Sequence, residues 1–86
     1  MSATYSVEVR ITPRQGILDP EGETIARALE NLGYDGVSAV RAGRIVRMEV
    51  DSPSEGEARD RVVKMCEELI ANPVIEDFEV LIERAG

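Results

Sequence analysis

The chain of 86 residues contains no histidine, no tryptophan and one cysteine. These absences remove whole classes of chemistry. A lone thiol cannot form an internal disulfide, and without histidine or paired cysteines no common structural zinc site can be assembled. General acid–base catalysis loses its commonest group, leaving carboxylates that would need a shaped pocket to shift their titration. Two tyrosines and one phenylalanine are too few for a base-stacking platform. No apolar run approaches the ~20 residues of a membrane-spanning helix. Gly33, Gly36 and Gly43 are too scattered for a dinucleotide-binding fingerprint, whose glycines must lie between a strand and a helix start.

What is present is an acidic, ordinary globular composition, with 17 acidic against 10 basic residues and 43% apolar residues. A net charge of −7 repels phosphate backbones, so general nucleic-acid binding is not expected. The N-terminus lacks the basic and apolar regions of a secretory signal, and a single cysteine fits a reducing compartment, so a cytoplasmic location is expected. The length corresponds to one domain, residues 1–86, with a small core that oligomerisation would help to stabilise.

Tyr5, Val7, Val9 and Ile11 alternate with Ser6, Glu8, Arg10 and Thr12, predicting a half-buried strand over 4–12 that ends at Pro13. Asp19-Pro20 opens a helix, with aspartate as the cap and proline at the first helical position. Ile25, Ala28, Leu29 and Leu32 form its apolar stripe, Glu23 and Arg27 an i,i+4 pair, and Gly33 its left-handed stop. A strand over 37–42, a tight turn at Gly43 and a strand over 44–51 follow. Ser52-Pro53-Ser54-Glu55 then predicts a capping box with Ser52 as the cap, opening a helix that runs to about Ala71. Its expected buried stripe is Ala58, Val62, Met65, Cys66 and Leu69, and its outer face pairs Glu57 with Arg61 and Asp60 with Lys64. Asn72-Pro73 stops it, and a last strand spans 75–83 with Phe78, Val80 and Ile82 inward.

The order βαββαβ with right-handed crossovers predicts an α+β ferredoxin-like sandwich, a four-stranded antiparallel sheet with two helices on one face. Its uncovered face would carry mostly polar side chains together with Val40, Ile45 and Leu81, a combination that points to self-association. Ile17 and Leu18, apolar residues in an unusually long loop, point to docking. Cys66, mid-helix on the apolar stripe, reads as core rather than nucleophile. Arg41, Arg44 and Arg47, with Arg10 nearby, form either a basic spot for an acidic partner or a phosphate, or ordinary cross-strand pairs with Glu8 and Glu49. The second alternative is the more economical, since exposed ion pairs are common.

Three stretches carry a family resemblance, in order and at matching spacing. They are Gly16-Ile17-Leu18-Asp19-Pro20-Glu21-Gly22, then Leu32-Gly33-Tyr34 with Val40-Arg41-Ala42-Gly43-Arg44, then Leu69 through Phe78 with Asn72-Pro73 and Glu76-Asp77 at its heart. Together they resemble the PurS family, small subunits of phosphoribosylformylglycinamidine synthase in de novo purine synthesis, over essentially the whole chain. Arg14 and Arg44 stand where the family often has lysine, and Glu21 where glutamine is frequent. The resemblance implies a homodimer or homotetramer with no active site, cofactor or metal of its own. It implies a bridge between an ATP- and Mg-using synthetase subunit, PurL, and a glutaminase subunit, PurQ, that assists ammonia transfer. It also places Ile17, Leu18, Asp19, Arg41, Arg44, Asn72, Pro73, Glu76 and Asp77 as candidate partner contacts.

On this reading, Leu18→Asp leaves the circular-dichroism spectrum unchanged and abolishes complex formation in size-exclusion chromatography with the partner subunits. A rival from another class is an ACT-type sensor, which shares the element order and binds small amino acids at dimer interfaces. Calorimetric titration with amino acids separates the two.

Overall fold

The computed structural model describes residues 2–16 and 19–85. Strand β1 (Ala3–Pro13) lies at the centre of a three-stranded antiparallel sheet, flanked by β2 (Arg44–Ser52) and β3 (Glu76–Arg84). Val9 pairs with Val46 on one side and with Val80 on the other. This register puts Tyr5, Val7, Val9 and Ile11 on one face with Val46, Met48, Val50, Phe78, Val80 and Ile82. The alternation read from the sequence is therefore the one that folds.

Helix α2 (Glu55–Met65) covers that face. Ala58, Val62 and Cys66 face inward and are fully buried against the β1 side chains. The first turn is capped by Ser54, whose Oγ accepts from the Glu57 amide at 3.2 Å. The helix cap thus lies two residues later than Ser52-Pro53 predicts. Ser52 remains in β2 opposite Ala3, and Pro53 lies in the bend before the helix.

Ser52 is 1% exposed, and its hydroxyl has no hydrogen-bond partner among the described residues. An unpaired buried hydroxyl is destabilising by roughly 1–3 kcal/mol relative to a satisfied one. Ser52→Ala should therefore leave the unfolding midpoint unchanged or raise it; a clear drop in a thermal melt would show that the hydroxyl is satisfied.

The end of α2 departs from the expected register. Residues Cys66–Ile70 form a π-helical turn, closed by the Ala71 amide donating to the Cys66 carbonyl at 2.9 Å. One extra residue in a turn rotates everything after it around the axis. Leu69, expected in the buried stripe, is consequently 86% exposed, whereas Ala71 is buried.

Two further expectations are corrected. The sheet has three strands, not four, because residues 37–42 run without ladder partners. Ala39 there has φ +56°, a left-handed conformation incompatible with continuous strand pairing. In addition, among the described residues α2 covers the sheet and the first helix does not. Helix α1 (Pro20–Asn31) forms as its caps dictate, with the Asp19 carboxylate accepting from the Gly22 amide at 3.0 Å and Gly33 at φ +97° behind it. It makes no substantial packing with any strand or with α2.

Gly22 is the helix's only fully buried residue, Leu29 is half-buried, and Ile25 and Leu32 remain exposed. The molecule is accordingly long, 56 × 28 × 15 Å, with a radius of gyration of 16.7 Å, where a compact chain of this length would have about 12 Å. The anticipated i,i+4 pairs Glu23–Arg27, Glu57–Arg61 and Asp60–Lys64 are not among the ion pairs of the described residues. Arg61 instead donates to the Asp51 carbonyl at 2.8 Å.

Candidate functional site: one end of the sheet

The end of β1 and the starts of β2 and β3 meet at one end of the sheet. Ile11 lies opposite Arg44, and Pro13 opposite Glu76. Seven of the partner-contact candidates, Asp19, Arg41, Arg44, Asn72, Pro73, Glu76 and Asp77, converge on this end although up to 58 positions separate them in sequence. The other two, Ile17 and Leu18, lie outside the described residues.

Two polar hubs hold this end together. In the first, the Asp19 carboxylate divides its oxygens. Oδ1 accepts from the Gly22 amide, capping α1, and Oδ2 accepts from the Ala42 amide at 2.9 Å. Those two backbone hydrogen bonds, in that order of importance, hold its pKa below the ordinary aspartate value. Arg41 reaches the other way, donating to the Pro13 carbonyl at 2.6 Å and to the Arg14 carbonyl at 3.3 Å. The loop after β1, the start of α1 and the segment before β2 are thus fastened to one another. Gly22 fits because the Val40 carbonyl oxygen occupies the space a Cβ would need.

In the second hub, the Arg44 guanidinium grips the Glu76 carboxylate with both nitrogens, at 2.6 and 3.2 Å, and also donates to the Ile70 carbonyl at 2.6 Å. Glu76 returns an acceptor to the Asn72 amide at 2.8 Å. The fork-on-carboxylate geometry is one that arginine makes and lysine cannot. Arg44, first, and the Asn72 amide, second, hold the Glu76 carboxyl below its ordinary range. Asn72 adds a turn of its own, its Oδ1 accepting from the Val74 amide at 3.0 Å. Arg14 completes the join, its amide donating to the Ile75 carbonyl at 2.9 Å and its side chain lying 3.4 Å from Asp77.

The effect is a cross-linked end of the sheet that exposes apolar side chains beside its polar ones. Val74 is 76% exposed, and Ile75 and Leu69 are exposed beside the hub in the chain. Val74 and Ile75 lie within the segment Asn72 to Asp77 that the sequence reading put forward for partner contact. Sequence reasoning could not have found Leu69, which the π-turn turned outward.

The other candidates fall elsewhere. Ile45 and Leu81 lie on the uncovered face, opposite Arg10 and Glu8 in the ladders, and both are exposed. Val40 is not on that face, because its segment is outside the sheet. Of the four arginines expected in a basic spot, Arg10 and Arg47 pair with Glu8 and Arg44 pairs with Glu76, whereas Arg41 donates to backbone carbonyls. Glu8 accepts from Arg10 at 2.8 Å and from Arg47 at 3.1 Å, and these two bonds lower its pKa. Glu49 is absent from the ion pairs of the described residues.

Cys66 is buried; burial first, and the Glu67 charge second, push its thiol pKa up, the opposite of nucleophile activation. Among the described residues no group of three or more metal-ligating side chains is present, and no helix is long and apolar enough to cross a membrane. The arrangement ties three separate chain segments together at one end of the sheet.

Known proteins share this layout. The family described as PurS, phosphoribosylformylglycinamidine (FGAM) synthase, matches residues 6–84. The PurS subunit of phosphoribosylformylglycinamidine synthase from Synechocystis is 40% identical over 78 residues, covering 91% of this chain and 78% of that one. The corresponding subunit of Methanocaldococcus jannaschii is 38% identical over 80 residues, covering 93% and 96%. The crystal structure of the Thermotoga maritima purS subunit superposes with a TM-score of 0.85 at 34% identity, covering 96% of this chain and 95% of that one. A chain in the structure of PurLQS from the same organism gives 0.83 at 36% identity, covering 93% and 98%.

Proposed function

The chain belongs to the PurS family and is a subunit of phosphoribosylformylglycinamidine synthase, an enzyme of purine biosynthesis; from that premise we propose that it acts as a non-catalytic bridge. It self-associates and holds a PurL-type synthetase subunit, which uses ATP and Mg, next to a PurQ-type glutaminase subunit in the cytoplasm. Ammonia released at one active site then reaches the other without protonation or loss to water. The gain is one of proximity and excluded water rather than of chemistry on this chain.

The observation that carries the reading is this cross-linked end of the sheet. Candidate contacts from three separate segments are fixed at one end of the sheet by Asp19, Arg41, Arg44 and Glu76, with Val74 and Ile75 exposed beside them. Preorganised loops bind with less entropy lost than mobile ones. Asn72, Pro73, Asp77 and the loop at Ile17 and Leu18 are the contacts assigned to partner subunits, and Ile45 and Leu81 are available to self-association. The relation of the Thermotoga chain to PurLQS supports this choice of partners.

Reconstitution tests the proposal. Synthetase and glutaminase subunits are assayed with and without this chain, using glutamine or ammonium as the nitrogen source. The bridge predicts that glutamine-dependent synthesis needs the chain and that the ammonium reaction does not. If neither rate changes, the bridging role fails.

A further inference from the structure

We propose that the turn Cys66–Ile70 is a two-frame switch. In one frame Leu69 stands in solvent, in the other it enters the core, and the Arg44–Glu76 hub holds the first. The inference goes beyond the bridging reading and is tested on this chain without its partner subunits.

Three observations lead to it. First, the turn holds one residue more than an α-turn. Val62 and Cys66, four apart, are both fully buried, and the next buried residue, Ala71, comes five later. Met65 and Ile70, also five apart, are half-buried beside them. An α-helix returns to the same face after three or four residues, so the π-turn carries an additional one. Leu69 is that residue, and it is almost wholly exposed.

Second, the sequence fits both frames. Leu69, Ile70 and Ala71 are consecutive and apolar. The present frame turns Ile70 and Ala71 toward the core. An uninterrupted α-helix would turn Leu69 and Ile70 there instead, continuing the stripe of Ala58, Val62 and Cys66 at helical spacing. That frame buries a leucine where the present one buries an alanine, so apolar burial on its own favours it. A different interaction holds Leu69 outside.

Third, the polar hub is attached where the frame changes. Arg44 donates to the Ile70 carbonyl at 2.6 Å while gripping Glu76 at 2.6 and 3.2 Å, and Glu76 accepts from the Asn72 amide at 2.8 Å. A shift of one residue rotates residue 70 by about 100° around the helix axis and passes Ala71 to the following loop. The rotation breaks the Arg44 bond to Ile70, and the longer loop displaces the Asn72 amide from Glu76. The frame thus sets whether Leu69 is presented along with the exposed Val74 and Ile75.

The test is nuclear magnetic resonance on the isotope-labelled full-length protein, reading Overhauser contacts of the Leu69 and Ala71 methyl groups. In the wild type, Ala71 should contact the core and Leu69 should contact neither Ile11 nor Val62. In Arg44→Ala the buried frame becomes the populated one: Leu69 gains contacts to core methyls and Ala71 loses its own. Arg61→Ala, which removes a comparable bond to the Asp51 carbonyl, should leave Leu69 outside. Deleting Leu69 lets Ile70 and Ala71 keep their places through an ordinary α-turn, so the thermal midpoint should hold or rise. If Arg44→Ala does not fold, Glu76→Gln decides by the same contacts. A folded hub variant with Leu69 still in solvent overturns the proposal. So does a wild type with Leu69 in the core, an Arg61→Ala variant that moves Leu69 inward, or a clear fall in midpoint on deleting Leu69.

Discussion

Gly43→Ala is expected to lower the thermal unfolding midpoint by on the order of 10–20 °C. Gly43 enters β2 where the Ile11 carbonyl of the central strand lies directly against it, and Thr12 Cγ2 would be 3.1 Å from an added Cβ. The Ile11 carbonyl is backbone in a strand paired on both sides, so the neighbour cannot turn aside as a flexible side chain would. Overpacking of this kind is destabilising by about 1–3 kcal/mol, and in a domain of this size each kcal/mol moves the midpoint by ~4–8 °C. Gly56→Ala is the matched control. Gly56 sits in the first turn of α2 with only the Ser54 hydroxyl at 4.0 Å from the added carbon, so alanine there should raise the midpoint slightly through its higher helix propensity. If the two variants melt together, the close approach at Gly43 is not what requires glycine.

Arg44→Ala should produce the second large effect, about 2 kcal/mol of lost stability, because hydrogen bonds to charged groups are each worth roughly 1.5–3 kcal/mol when well formed and less when exposed. The Glu76 carboxylate is only 16% exposed, whereas Arg44 is about half exposed. The variant therefore strands a carboxylate that water reaches poorly, together with the Ile70 carbonyl. The pH dependence fixes the assignment. Glu76 titrates below its ordinary value of 4.5 in the folded state. Its contribution is fully present above that value and is lost as pH falls through the lower folded one. Urea melts of wild type and Arg44→Ala should thus differ most above the ordinary value and converge as the pH falls below it. A difference that stays constant over that range would assign the loss to something other than the ion pair. On the proposed bridging role, the same variant should reduce glutamine-dependent synthesis more than ammonium-dependent synthesis, since it loosens the loop that carries Asn72 and Val74.

The local elements were legible in the sequence because their causes are local. The alternation of β1, the Asp19-Pro20 start of α1 and the glycine stop at Gly33 each depend on a few neighbouring residues, and all three are present as read. Family membership was legible for a related reason: the stretches at residues 16–22 and 69–78 carry recognisable residues at fixed spacing. The errors arose where a local pattern admits two outcomes. Ser52 and Ser54 are both good caps, and only the burial of Ser52 inside the sheet excludes it. Leu69 has the right spacing for the core, but a single widened turn turned it to solvent.

By itself, then, the sequence determined β1, β2, β3, the body of both helices, the apolar face of the sheet and the family. The tertiary structure alone decided that residues 37–42 stay outside the sheet, that α1 stands free, and that Asp19, Arg41, Arg44, Asn72 and Glu76 gather at one end. The physical reason is that helix and strand patterns arise from periodicities within about a dozen residues. Bonds such as Arg44 to Glu76, 32 positions apart, depend on strand register and on where the chain turns, which no local pattern specifies.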